Sequence, residues 1–260
     1  MTYETILVNI ADHVCTVTLN RPQRMNSFNH TMARELRRMW EAVRDDPAVR
    51  VIVLRAAPGP AFCSGVDVKE GWRVPGEHER PFEMDDPGEW LGPKSNKVWK
   101  PVIVAVSGIA AGGAFYLLNE ADIIICSEEA TFFDPHVTFG MVAAAEPIGA
   151  IARMPLAQVQ RMALLGSHER ISAETAFRIN LVTEVTTLEG LWPRAAELAG
   201  LITDKHPVAI QGTVRAIWES LGIPRPFALG NALKYTQVGN PIGIAATDRS
   251  KTKTPEWRLR

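Results

Sequence analysis

Three short apolar runs confine this chain to a fold centred on a sheet. "VRVIVLRA", "PVIVAV" and "ADIIICS" are too short for typical helices and rich in β-branched residues. They read as strands buried in the core, the first of them on both faces. Between the second and third lies "SGIAAGGAFYLLNEADI", residues 107–123, which reads as a strand, a glycine-rich corner and a helix. Upstream, "TILVNIADHVCTVTLN" is a hairpin, two β-rich runs around a polar turn. Met32, Leu36, Met39, Trp40 and Val43 then mark one face of a helix ending near Asp45, Asp46 and Pro47. Helical patterns follow at 156–165, 173–179, 188–203, 208–221 and 226–237. Strands dominate the first half and helices the last third, so the expected architecture is an α/β core, residues 1–200, with a helical extension, 201–260. Residues 71–92 are polar and rich in Pro and Gly, a mobile surface segment by composition.

Composition narrows the class further. The chain has 260 residues, 46% of them hydrophobic and 22% charged, enough for one substantial core. Its formal net charge of −1 exerts no general pull on nucleic acid or anionic lipid. No apolar run reaches the ~18 residues of a membrane span. The opening "MTYETILVNI" lacks the basic start and long apolar stretch of a secretory signal, so a cytoplasmic location is expected. Cys15, Cys63 and Cys126 are odd in number and have no metal-like spacing; Cys15 and Cys126 read as small buried hydrophobes of a reducing compartment. The six histidines form no HExxH-like cluster, so no metal site is expected.

The glycine corner is the main functional signal. A helix start presents unsatisfied N–H groups and partial positive charge, and Gly112 and Gly113 would let a ligand approach that backbone. The spacing matches neither a P-loop nor a dinucleotide fingerprint. Close packing of helix on strand through small residues explains the glycines equally well. A second loop, "AFCSGVDVKE", also follows a buried strand and contains Gly65. Together the loops supply two backbone donors for one oxygen, an arrangement that stabilises a thioester enolate or a tetrahedral oxyanion.

"TLNRPQRMNSF", "AFCSGVDVKE", "KPVIVAVSGIAAGGAFYLLNEADIIICSEEATFFDPHVTFGM", "LLGSHERISAETAFRINLVTEV" and "KTKTPEW" occur in that order across almost the whole chain. In these segments it resembles the crotonase (enoyl-CoA hydratase/isomerase) superfamily. The resemblance implies a spiral of ββα units forming two sheets, with C-terminal helices packing between subunits as trimers or dimers of trimers. It implies an acyl-CoA thioester as ligand, with coenzyme A part of the substrate and no other cofactor. The oxyanion hole would be the N–H groups of Val66 and Gly113. Arg24 and Lys69 fall where the family places basic residues near the nucleotide end of CoA, and Ser64, Gly65, Asp67 and Gly112 complete the implied binding set. Asn26 is expected to hold a turn and Asp122 to have a structural role.

The sequence departs from the family pattern at the acid–base groups. Tyr116 and His136 stand where hydratases of this family carry glutamates. Simple hydration by two paired carboxylic acids is therefore not expected; isomerisation, dehydration or hydrolysis fits better. A non-catalytic acyl-CoA-binding paralogue is the alternative. His136 and Glu146, the latter in an alanine-rich loop, are the candidates for proton transfer. Tyr116 would donate its phenolic hydrogen or wall the pocket, Asp134 would shape a turn, and Glu120 would partner Tyr116 or form an intersubunit salt bridge. Phe62, Trp72, Trp90, Phe115, Tyr116, Phe132 and Phe133 fall near the family's acyl pocket.

Overall fold

The computed structural model describes residues 2–71, 86, 88–248, 250 and 257–259. Trp72, most of the polar 71–92 segment and residues 251–256 of the tail motif lie outside them. Strands β1 (Ile6–Ala11) and β2 (Val14–Leu19) form the expected antiparallel hairpin. Helix α1 (His30–Asp45) is capped by Asn29, whose side-chain oxygen accepts the Met32 N–H at 3.0 Å. The face anticipated from Met32 to Val43 is buried.

A ββα repeat follows. β3 (Val51–Ala56) leads to β4 (Ala61–Cys63) and then to α2 (Gly88–Leu91). β5 (Val102–Val106) leads to β6 (Ile109–Ala111) and α3 (Ala114–Asn119). β7 (Ile123–Ser127) leads to β8 (Thr131–Phe133) and, after a loop, α4 (Ala145–Ala150). The chain continues through α5 (Leu156–Leu165), β9 (Ile171–Ser172), α6 (Ala173–Arg178), β10 (Glu184–Thr186), α7 (Leu188–Thr203), α8 (Pro207–Trp218) and α9 (Arg225–Ala246). The first strand of each repeat joins a six-stranded sheet, ordered β1-β2-β3-β5-β7-β10. The second joins a four-stranded sheet, β4-β6-β8-β9. β2, β3, β5, β7 and β10 run parallel, as do β4, β6 and β8. This is the crotonase-like spiral.

The large sheet is covered on both faces, as its apolar runs require. Ile52, Leu54, Val102, Val104, Ile124 and Cys126 point into the main core with α1 and the small sheet. Their neighbours Val51, Val53, Ile103, Ala105 and Ile125 pack under Leu191, Ala195 and Ala199 of α7. Helix α7 therefore belongs with the sheets, and a boundary at residue 200 falls inside it. The three cysteines are buried and unbridged, and burial pushes their thiols up to about 12.

Two expectations need correction. Residues 88–91 are helical, with Leu91 buried and its carbonyl accepting the Trp40 indole N–H at 2.8 Å, so that end of the polar segment is anchored. α9 runs nine residues beyond its expected end at 237, through Gly239 and Pro241; Gly239 faces Val208, where a Cβ would sit 3.4 Å away, letting α9 lie close on α8. The Trp218 indole of α8 donates to Asp122 at 2.6 Å. Asp122 also accepts from Lys94 and the Val102 amide, each at 2.7 Å, which is the structural role expected of it.

Candidate active site

Two loops meet where β4 and β6 end. Gly65 and Gly112 have left-handed φ values of 89° and 50°. A Cβ at Gly65 would lie 3.0 Å from the Gly113 nitrogen and 3.1 Å from the Ala111 oxygen, so the two backbones touch. Phe28 fixes the first loop: its N–H donates to the Gly65 carbonyl at 2.9 Å and its carbonyl accepts the Asp67 N–H at 2.8 Å. This short parallel bridge turns the Val66 amide away from Phe28. Among the described residues, neither the Val66 nor the Gly113 N–H has an acceptor. Gly113 begins α3, so the geometry is that of two free donors in contact loops beside a helix start.

Of the two readings of Gly113, the structure supports close packing. Its backbone is ordinary, with φ −57°. A Cβ there would lie 2.6 and 2.8 Å from two atoms of the buried Phe28 ring, so close packing excludes a side chain at this position.

Around the corner stand the titratable groups. Asp134, fully buried, accepts the His136 backbone N–H at 3.1 Å and its Nδ1–H at 2.5 Å. His136 Nε2 lies 3.7 Å from Glu146 Oε1. The imidazole Cε1 is 3.7 Å from where a Gly112 Cβ would sit, which places the ring against the glycine corner. Glu146 is not a loop charge as expected: it lies in the first turn of α4 and is 4% exposed. Asn119 at the end of α3 donates to the Glu146 carbonyl at 2.9 Å and fixes that helix. Tyr116 donates to Asp86 at 3.2 Å and lies near enough to Glu146 to feel its charge. Its ring meets Phe28 edge-on, 6.5 Å between centroids. Glu120 is not its partner; it accepts from Ser95 and from the Lys94 amide instead.

The electrostatics follow from crowding three carboxylates and a phenol around one imidazole. Asp134's hydrogen bond raises the His136 pKa against burial, with the charges of Glu146 and Asp134 adding. Burial raises Glu146, and His136 partly offsets it. Burial, then Glu146 and Asp86, push the Tyr116 phenol up, so it stays protonated and keeps a hydrogen to donate. Asp134, His136 and Glu146 each present one ligand-type atom within 4.8 Å of the others, with Asp134 Oδ1 taken up by His136 Nδ1.

The implied CoA-binding residues divide into two groups. Arg24 and Lys69 are exposed and Ser64 is half-buried. Asp67 turns inward. Its carboxylate accepts from Arg21 at 3.1 Å and from the Lys69 and Glu70 amides, which hold its pKa down despite burial. Asn26 holds the preceding turn as expected, bonding the Arg21 amide and the Ala61 carbonyl. Phe62, Phe115 and Phe132 are core residues. The sequence reading missed Asp86 and the Asp134–His136 bond. The two-residue spacing in "DPH" was the available signal for the bond; Asp86 had none.

On this ββα spiral, two loop amides without acceptors among the described residues lie beside the close His136–Glu146 pair. The family model described as "Enoyl-CoA hydratase/isomerase" matches residues 9–236. The chain belongs to that family, as an enzyme acting on an acyl-CoA thioester. It is 35% identical over 212 residues to (E)-benzylidenesuccinyl-CoA hydratase of Thauera aromatica, covering 81% of each chain. It is 29% identical over 262 residues to carnitinyl-CoA dehydratase of Proteus mirabilis, covering 95% of each. An enoyl-CoA hydratase/isomerase structure from Mycobacterium paratuberculosis superposes with a TM-score of 0.87 at 34% identity, covering all of both chains. No helix among the described residues is long and apolar enough to cross a membrane.

Proposed function

We propose that this enzyme adds water to, or removes it from, the α,β positions of an acyl-CoA thioester. The thioester oxygen is held by the Val66 and Gly113 amides, where negative charge develops as the enolate forms. One member of the His136–Glu146 pair takes a proton from water as its oxygen bonds to Cβ. The other gives a proton to Cα, and elimination is the reverse. Tyr116 donates to the substrate or orients Glu146. Arg24 and Lys69 meet the nucleotide end of CoA, with Ser64 and the Gly65 and Gly112 backbones lining the approach.

The observation that carries this reading is the 3.7 Å approach of His136 Nε2 to Glu146 beside the glycine corner. The family glutamates are absent from positions 116 and 136, but a carboxylate returns to the pocket from position 146. With His136, it supplies the acid and base that adding or removing water calls for. The hydratase and dehydratase among the relatives support the same direction.

The test is a panel of 2-enoyl-, 3-enoyl- and 3-hydroxyacyl-CoA thioesters in H2(18)O and, separately, D2O, followed by mass spectrometry. Water gain or loss with the label at Cβ is expected. A double-bond shift with deuterium but no 18O would establish isomerisation instead. Release of free CoA would establish hydrolysis, and no turnover would favour a binding paralogue.

The same reading assigns the α8–α9 arm to self-association as trimers or dimers of trimers. Ile217, Leu221, Phe227 and Leu233 are each at least half exposed, more apolar surface than a small arm hides by itself. Light scattering at micromolar concentration is expected to give a trimer or hexamer mass; a clean monomer contradicts it.

A further inference from the structure

We infer that Asp134 is a positioning residue that makes His136 the proton donor of the catalytic pair and leaves Glu146 the acceptor. The roles rest on the water-adding reading above; the placement of the proton does not. Asp134 is fully buried, and one of its oxygens serves both the backbone and the ring of His136, at 3.1 and 2.5 Å. Pro135 stands between the two residues, so the carboxylate closes a tight local turn and sets the ring angle at the same time. The other oxygen, Oδ2, is buried with no hydrogen-bond partner among the described residues.

A buried carboxylate with one bare oxygen is costly unless a positive charge lies against it. A turn alone would be served as well by asparagine, which accepts the same backbone N–H and carries no charge. The groups facing His136 are Asp134 from its own loop and Glu146 from α4. Tyr116 of α3 and Asp86 lie beyond them, on Glu146. Among the described residues no lysine or arginine forms an ion pair with any of these carboxylates. The imidazole is therefore the one group placed to carry the compensating charge, with Nδ1–H fixed on Asp134 and Nε2–H directed to the pocket. Holding the pair's single proton on His136 keeps Glu146 ionised. In water addition Glu146 takes the proton of water as the oxygen–Cβ bond forms. The C=C electron pair moves into the enolate, and His136 returns a proton to Cα as the enolate collapses. The proton then passes from Glu146 back to His136.

The experiment is a pH titration of the wild-type protein labelled with 15N-histidine, read by NMR, with His136→Gln identifying its signal among the six histidines. The expected result is a neutral form protonated at Nδ1 and a midpoint above the ordinary ~6.5. In Asp134→Asn the midpoint falls. kcat drops about 10–100-fold, the scale for losing an orienting carboxylate behind a histidine, with KM little changed. The alkaline limb of the kcat profile moves to lower pH. A wild-type midpoint at or below ~6.5, a neutral form protonated at Nε2, or an unchanged midpoint in Asp134→Asn overturns the inference. If Asp134→Asn does not fold, the wild-type titration decides. None of these spectra depends on turnover, so the inference and the water-adding reading fail separately.

Discussion

The two halves of the active site are built in different ways. The oxyanion half is backbone: two loops after β4 and β6, held by Phe28, Asp67 and left-handed glycines at 65 and 112. The acid–base half is side chain: Tyr116 from α3, His136 from the loop after β8 and Glu146 from α4. Backbone donors depend on conformation, so the first half tolerates no change in the packing that sets it. Side-chain donors depend on where residues converge, so a carboxylate can leave one position and return from another. The lesson is that loop conformation alone sets the backbone donors, whereas the side-chain groups depend on three separate elements converging.

That contrast predicts its largest effects at the side-chain half. Glu146→Gln and His136→Gln should each lower turnover by about 10²–10⁴-fold, the range for a general acid or base, with thermal unfolding little altered. The pH dependence should be a bell belonging to the pair. As pH falls through Glu146's raised pKa the acceptor is lost, so the acid limb lies above the ordinary carboxylate range. As pH rises through His136's raised pKa the donor is lost, so the alkaline limb lies above ~6.5. Initial rates across pH on folded protein check both limbs.

At the backbone half, Gly113→Ala should act first on stability. Its methyl group meets the Phe28 ring, and overpacking of this kind costs about 1–3 kcal/mol. Pairing it with Phe28→Leu should recover part of the melting temperature. An unchanged melting temperature in Gly113→Ala would show that the ring yields and that the glycine is kept for the ligand. Smaller still, Tyr116→Phe should lower kcat about five- to tenfold, for one hydrogen bond of about 1 kcal/mol. Arg24→Ala and Lys69→Ala, both at exposed positions, should raise KM for the thioester a few-fold at low salt, less as salt screens them, with kcat unchanged.

The legible part of the molecule follows the same division. The buried strands, the α1 face and the glycine corner are local patterns, and period and spacing reveal them. The clash between Gly113 and Phe28 spans 85 positions and leaves no local trace. Glu146 looked like a loop residue because "AAAEPIG" combines helix formers with a proline and a glycine; its burial comes from Asn119 pinning α4 to α3. Asp134 is the turn former it resembles, and its carboxylate also grips the imidazole, for which the two-residue spacing in "DPH" is the one local sign. α9 passes through Gly239 and Pro241, residues that punctuate a helix locally, and packing on α8 carries it beyond 237.

The central claim is that His136 and Glu146 work as one acid–base unit, and a double-mutant cycle tests it directly. Turnover is measured for the wild type, His136→Gln, Glu146→Gln and the double variant, on preparations matched for folded content. If the two groups share one proton-transfer task, losing the second adds little, and the double variant should be about as slow as the slower single. If the two losses multiply, the residues act independently and the account of this half of the site is wrong.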